Sequence, residues 1–150
     1  MRREVLWRSV RRVLGTDEEV LDVAYLFRRH RLFVPFAVAA AAIGGGGAVL
    51  AGFTSAASIV AVALAAVAVA ASAVTDYRVL AATDDGLVLM KAGRVRQVAT
   101  SLIARLPAST TVERVANNLV ISEWRVGPER FSVLRRYEST MAAIAARHPP

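Results

Sequence analysis

The sequence predicts a membrane protein of the α+β class, in which a transmembrane helical hairpin precedes a small domain of seven strands closed by a C-terminal helix. The first observation is a run of 44 residues, 32–75, that contains no Asp, Glu, Lys, Arg or His. The second is a change to alternating apolar and polar residues after Asp76. Together they divide the chain into residues 1–31, 32–75 and 76–150.

The uncharged run is too long for one membrane crossing and suits two. As a single helix it would be about 66 Å long, whereas a bilayer core is about 30 Å thick and takes about 20 residues to cross. A break at residues 52–55, Gly-Phe-Thr-Ser, gives spans at 32–51 and 56–74. The glycine run 44–47 is a competing break, but it leaves only 12 residues of the run before it. We therefore predict a hairpin that turns at residues 52–55.

Residues 1–31 are predicted to form two basic helices on the cytoplasmic side of the membrane. Leu6, Val10 and Val13 recur at helical spacing, and Gly15 stands where a helix C-cap is expected. This first helix either lies in the membrane interface through Trp7 or packs on the C-terminal domain.

A capping-box pattern at residues 16–19, Thr-Asp-Glu-Glu, predicts a second helix from Asp17 to Arg31. Its basic end adjoins the uncharged run. Arg28, Arg29 and Arg31, together with Trp7, are therefore predicted to anchor the chain at the membrane interface.

Small residues at four-residue spacing are predicted to let the two spans pack closely. The two rows are Ala40, Gly44 and Ala48 on the first span, and Ala57, Ala61 and Ala65 on the second. The same rows would also let hairpins from different chains pack closely in a homo-oligomer.

The distribution of charge predicts the orientation. Residues 1–31 carry eight Arg, residues 76–150 carry eleven Lys or Arg, and the turn at 52–55 carries none. Because cytoplasmic segments are enriched in Lys and Arg, both termini are expected on the cytoplasmic side of the cell membrane.

Residues 76–150 are predicted to form the β domain. The Asp-Gly pair at 85–86 and the Asn-Asn pair at 117–118 are typical of tight turns between strands. The predicted strands are residues 77–82, 87–90, 94–98, 102–106, 110–115, 119–124 and 130–134, followed by a helix at 135–147. Short strands at this spacing indicate a strongly bent sheet or barrel, which the apolar side of the last helix would cover.

The sequence carries no pattern of catalytic, cofactor-binding or metal-binding residues. It has no cysteine, and its two histidines, His30 and His148, lie outside any triad-like context. No ionisable residue lies in the predicted spans, where such residues usually mark ion or substrate pathways. We therefore expect a protein that is not an enzyme.

The order of elements in residues 76–150 resembles the bacterial pleckstrin-homology-like (PH-like) domains, which are often fused to a pair of transmembrane helices. Residues 82–89, Ala-Thr-Asp-Asp-Gly-Leu-Val-Leu, are similar to the second hairpin region of that family, and residues 103–107, Ile-Ala-Arg-Leu-Pro, to its fourth strand. The resemblance covers about 70 residues and implies an interaction or assembly module. Eukaryotic relatives grip phosphoinositide phosphates with a basic first loop. In this chain the turn that corresponds to that loop contains Asp84 and Asp85, which would repel phosphate. We therefore do not expect it to bind phosphoinositides.

Arginines in the β domain are candidate contacts for anionic lipid headgroups or a protein partner. They are Arg94, Arg96, Arg130, Arg135 and Arg136. Three alternatives to a lipid- or protein-binding module remain open. The arginines are simply solvated, the hairpin forms an oligomeric pore that the β domain regulates, or the basic surface binds nucleic acid, which we consider the weakest of these.

Overall fold

The computed structural model describes residues 2–15, 18–29, 33–94 and 96–149, and of residues 2, 3 and 29 it describes the backbone only. The helices are α1 (Arg2–Leu14), α2 (Phe33–Leu50), α3 (Ala56–Ala73), a 3-10 turn (Arg135–Tyr137) and α4 (Glu138–Arg147). The strands are β1 (Val20–Arg29), β2 (Thr75–Thr83), β3 (Gly86–Ala92), β4 (Ala99–Pro107), β5 (Val112–Asn117), β6 (Ile121–Val126) and β7 (Glu129–Leu134). The predicted α+β class is therefore confirmed.

The seven strands form one antiparallel sheet in the order β4-β3-β2-β1-β7-β6-β5. β1 is central, since it lies between β2 and β7 and aligns Leu26 with Val133 and Phe27 with Ser132. The two helices of the apolar run, α2 and α3, therefore connect two neighbouring strands of this sheet, β1 and β2.

The predicted second N-terminal helix is wrong, because Val20–Arg29 is strand β1. Thr16 and Asp17 of the capping-box pattern lie outside the described residues. The segment is rich in branched and aromatic side chains, which favour strands. Its residues 23–26 are all buried, as expected for a strand covered on both faces. Long-range pairing with β7 thus overrides the local helix signal.

The predicted strand at residues 94–98 is also wrong. The Gly93 N–H donates to the Val98 carbonyl at 2.8 Å, and the Gln97 N–H donates to the Gly93 carbonyl at 3.1 Å. Gln97 has a φ of +52°. These features form a turn between β3 and β4, with Val95 outside the described residues. The number of strands was predicted correctly, but the seventh comes from the N-terminal segment.

One hydrophobic core joins the sheet to α1 and α4. Leu6 and Val10 of α1 and Met141 and Ile144 of α4 are fully buried in the same cluster as the strand residues. The first helix therefore packs on the domain through Leu6 and Val10, and this packing leaves its opposite face exposed. The predicted C-cap at Gly15 is confirmed, since its N–H donates to the Arg11 carbonyl at 3.0 Å with a φ of +91°.

The predicted hairpin turn at residues 52–55 is confirmed. Gly52 adopts a φ of +85°, which glycine reaches without strain. Ser55 caps α3, because its Oγ accepts a hydrogen bond from the Ser58 N–H at 3.1 Å. The competing glycine run 44–47 lies inside α2.

The chain divides into two compact units, one made of Met1–Arg28 with Tyr77–Pro150 and the other of Arg29–Asp76. This corrects the predicted division into 1–31, 32–75 and 76–150. The N-terminal segment is part of the β domain, because it supplies the central strand and a helix that packs on the sheet.

Candidate functional site

Helices α2 and α3 expose apolar surface almost everywhere. Each has 18 residues and is long and apolar enough, by length and composition, to cross a membrane. Within Phe33–Leu50 the one buried residue is Ala48, and within Ala56–Ala73 there is none. Exposed side chains include Phe36, Ile43 and Leu64. The unit therefore offers a wide apolar surface that the β domain core does not include.

The two helices meet along the first predicted small-residue row. Gly44 lies so close to α3 that an added Cβ would be 2.7 Å from the Ala66 Cβ and 3.2 Å from the Val62 carbonyl oxygen. Ala48 is 3% exposed. Ala40 lies further along the same face and lines an open groove on the hairpin.

The second predicted row does not face α2. Ala57, Ala61 and Ala65 are exposed on α3. The residues of α3 that approach Gly44 are Val62, Ala63 and Ala66. The prediction was wrong by one position, which rotates the contact face by about 100°. Four-residue spacing cannot choose between such neighbouring rows in a helix where most residues are alanine. Ala65 borders the same open groove as Ala40.

The predicted interface anchors have different surroundings. Arg28 forms an ion pair with Glu129 at 2.9 Å, with both side chains about half exposed. Trp7 is partly buried against the domain core, and the Arg11 guanidinium lies 5.8 Å from the centre of its ring. Arg31 and the side chain of Arg29 lie outside the described residues.

The five candidate contact arginines do not form one patch along the sheet. Arg94 and Arg96 are exposed in the turn between β3 and β4, and not on one face of a strand as predicted. Arg130 is near the start of β7, whereas Arg135 follows its end, so their backbones are roughly 16 Å apart at 3.3 Å per residue.

Arg135 and Arg136 are held by contacts within the domain. Arg135 pairs with Glu138 at 3.2 Å and donates to the Asn118 carbonyl at 3.1 Å. Arg136 donates to the Gln97 side chain at 2.7 Å. These contacts tie the segment after β7 to the β5–β6 turn and to the β3–β4 turn.

Tyr25 and Tyr137, which are buried, and Tyr77, which is partly buried, form an aromatic cluster that the sequence did not suggest. The Tyr25 ring stacks on Tyr77 with centroids 5.9 Å apart and lies 6.4 Å from Tyr137. Its hydroxyl donates to the Gly93 carbonyl at 3.4 Å. Burial raises the pKa of Tyr25 above its usual value, with further contributions from Tyr77 and Tyr137. The cluster links β1, β2 and the 3-10 turn that precedes α4.

Exposed apolar residues also occur at the β5–β6 turn. Leu119 is 93% exposed and Val120 is 66% exposed. The turn is held by the Asn118 N–H, which donates to the Ile121 carbonyl at 2.9 Å. The predicted strand 119–124 includes both residues, whereas β6 begins at Ile121. The Asn-Asn pair just before them is the sequence signal for this turn.

Across the described ranges 2–15, 18–29, 33–94 and 96–149 there is no group of three or more His, Cys, Asp or Glu side chains arranged to hold a metal ion. His148 lies in the fold with its Nδ1 3.0 Å from the Ala108 carbonyl oxygen. Its own carbonyl accepts from the Val112 N–H at 2.8 Å. This histidine therefore ties the C-terminal end of α4 to β5.

No known protein family, curated protein or solved structure matches this chain.

Proposed function

We propose that this protein is a non-enzymatic, membrane-anchored interaction module with a PH-like domain on the cytoplasmic face of the cell membrane. The hairpin of α2 and α3 anchors the chain in the bilayer. The β domain binds a protein partner or anionic lipid headgroups. One observation carries the proposal, namely that α2 and α3 connect two adjacent strands of a single domain.

The position of the hairpin in the chain supports a double crossing. The segments before and after it fold into one compact unit, Met1–Arg28 with Tyr77–Pro150. Both segments must therefore lie on the same side of any membrane. Two crossings satisfy this requirement, whereas a single crossing would separate β1 from its neighbour β2.

The exposure of α2 and α3 supports insertion in lipid. Core helices of soluble proteins share their length and apolar composition, but those helices are mostly buried. Here 6% of the first span and none of the second is buried. Exposing this much apolar surface to water is unfavourable by about 25 cal/mol per Å², and a bilayer removes that cost.

A seven-stranded antiparallel sheet with a C-terminal helix is the arrangement that the PH-like resemblance implies. The turn at Asp84 and Asp85 joins β2 to β3, whereas the connection between β1 and β2 contains the hairpin. The acidic turn is therefore not the first loop of the domain, and its charge has no bearing on what the first loop contacts. The exposed Leu119 and Val120 support a protein partner, because paired apolar side chains at a turn are suited to fill a pocket.

The topology is tested by cysteine labelling in intact cells, which is direct here because the chain contains no cysteine. Thr54→Cys lies in the hairpin turn, and Val5→Cys and Leu119→Cys lie at exposed positions of the domain. A membrane-impermeant maleimide should label position 54 from outside and positions 5 and 119 only after permeabilisation.

Labelling of position 119 from outside intact cells would overturn the cytoplasmic placement. Release of the protein by alkaline carbonate would overturn the anchoring itself. The pore alternative is tested separately with purified protein in planar bilayers, where ion conductance would replace the interaction-module proposal.

A further inference from the structure

We propose that the outer face of α1 rests on the anionic headgroups of the leaflet that the hairpin enters, with Trp7 at the interface and Arg8, Arg11 and Arg12 contacting lipid phosphates. This inference deepens the proposed function and rests on its membrane anchoring. It assigns one lipid-contacting surface of the domain and one kind of ligand.

The helix α1 has two chemically different faces. Leu6 and Val10 are fully buried in the domain core. Arg8, Arg11 and Arg12 are exposed on the opposite side. The orientation of the helix is therefore fixed by its packing, and Arg8, Arg11 and Arg12 lie on the side away from Leu6 and Val10.

A hydrogen bond of α1 places this helix at one end of the sheet. The Ser9 Oγ accepts a hydrogen bond from the Ala99 N–H at 2.9 Å. Ala99 is the first residue of β4 and pairs with Ala92, the last residue of β3. The end of β3 in turn aligns with the start of β2, through the pair Arg78 and Lys91.

At this same end of the antiparallel sheet, β1 finishes at Arg29 and β2 begins at Thr75. The chain therefore leaves the sheet for the hairpin, and returns from it, at the end to which α1 is bound. The β3–β4 turn that carries Arg96 leads directly into Ala99 and adds positive charge there.

The side chains on this face suit a lipid interface. An open pocket of about 430 Å³ lies among Glu4, Trp7, Arg8 and Arg11. The Arg11 guanidinium lies over the Trp7 ring, 5.8 Å from its centre. A cationic group and an apolar ring are therefore adjacent on this surface. Tryptophan is enriched at membrane interfaces, and arginine binds phosphate with a planar pair of donors.

The electrostatic attraction between three arginines and an anionic leaflet is sufficient to hold a tethered domain against the membrane. Each basic residue near an anionic leaflet contributes about 1 kcal/mol. The hairpin keeps the domain at the bilayer, so the contact is intramolecular in effect and needs little intrinsic affinity. The hairpin does not hold the domain near a nucleic acid in this way, so the same arginines would need a higher intrinsic affinity for it. Lipid is therefore the favoured ligand.

The test uses Trp7 as a fluorescent reporter in the full chain. The protein has two tryptophans, and Trp124 is 3% exposed in the core, so Trp124→Phe leaves Trp7 as the single reporter. This protein is placed in nanodiscs of neutral or partly anionic lipid that is brominated near the headgroup end of the acyl chain. Stronger quenching of Trp7 and a shift of its emission to shorter wavelength are expected in the anionic discs. Both effects should weaken in high salt, since screening shortens the range of the interaction.

Two triple variants distinguish the effect of the α1 arginines from the effect of the net charge of the domain. In the same background, R8Q/R11Q/R12Q should lose the difference between anionic and neutral discs. R114Q/R125Q/R147Q removes the same charge from exposed ion pairs elsewhere on the domain and should keep this difference. Thermal melting of both variants checks that the fold is retained.

Equal quenching in neutral and anionic discs, with the protein still resistant to carbonate extraction, would overturn this inference and leave the proposed anchoring intact. Equal loss in the two triple variants would also overturn it. A labelled oligonucleotide that binds the protein in neutral discs and is released by R8Q/R11Q/R12Q would replace lipid with nucleic acid as the ligand.

Discussion

Gly44 of α2 faces Ala66 of α3 so closely that a Cβ on Gly44 would lie 2.7 Å from the Ala66 Cβ. Backbone atoms of Val62 and Ala63 lie 3.2 Å from the same point. Because these neighbours are backbone and a methyl group, none can move aside without separating the helices. The contact therefore sets the distance between the two helices of the hairpin, as small residues do between membrane helices.

We expect Gly44→Leu to push the helices apart and destabilise the hairpin by about 1–3 kcal/mol, the usual cost of overpacking. The thermal midpoint of the purified protein in detergent and in lipid measures the effect. Gly46→Leu is the matched control, since nothing lies within 4 Å of an added Cβ there.

Ala61→Leu provides a second comparison on α3. Ala61 is exposed, so we expect it to tolerate leucine without loss of hairpin stability. Equal destabilisation by the Gly44 and Ala61 variants would contradict the observed contact face and favour the four-residue row that the sequence suggested.

We expect the β domain to fold without its hairpin once the two flanking segments are joined. A chain of residues 1–29 and 75–150, linked by a short Gly/Ser segment in place of residues 30–74, keeps all seven strands, α1 and α4. It should be soluble and melt cooperatively, as measured by circular dichroism.

Residues 76–150 alone are the control for that experiment. They lack β1, so the facing edges of β2 and β7 have no partner strand, and they also lack Leu6 and Val10 of the core. We expect this fragment to remain unfolded or to aggregate. Cooperative melting of the fragment would show that β1 is dispensable and would contradict the described topology.

Gly86→Ala should destabilise the domain by about 1–3 kcal/mol, the cost of a strained backbone position. Gly86 has a φ of +142°, and an added Cβ would lie 2.8 Å from the Leu106 carbonyl oxygen. Gly93→Ala is the control, because its nearest neighbours are at an ordinary 3.7 Å. Chemical unfolding of the hairpin-free domain measures both, and similar losses would argue against strain at Gly86.

Tyr25 should make the domain lose stability at alkaline pH. Burial raises the pKa of its hydroxyl in the folded protein, whereas an unfolded tyrosine titrates near pH 10. Above about pH 10 the unfolded chain therefore releases a proton that the folded domain retains. The free energy of unfolding then falls with rising pH by up to about 1.4 kcal/mol per pH unit.

Below about pH 10 both states keep the proton, so Tyr25 contributes no slope there. Tyr25→Phe should remove this part of the alkaline slope, which urea unfolding at several pH values measures. An unchanged slope in Tyr25→Phe would assign the alkaline loss to other groups.

The sequence by itself determined the hairpin. An uncharged run of 44 residues is unambiguous, and the turn at residues 52–55 follows from the length of each helix and from Gly52. Helix formation here depends on hydrogen bonds within each segment, so no distant residue is needed to predict it. Most strands after Asp76 were predictable for a similar reason, because short turns fix which strands pair.

Only the tertiary structure decided the role of residues 20–29 and the contact face of α3. β1 pairs with β7, about 100 residues away in the chain, and its run of buried residues lacks the alternation that identifies a strand. The face of α3 depends on which position meets Gly44, since alanines at neighbouring positions are equivalent in sequence. The hydrogen bond between the Ala99 N–H and the Ser9 Oγ joins residues that are 90 positions apart in the chain. This contact decides at which end of the sheet α1 lies. Local patterns record the preferences of each segment, whereas these relationships depend on contacts that exist only after the chain has folded.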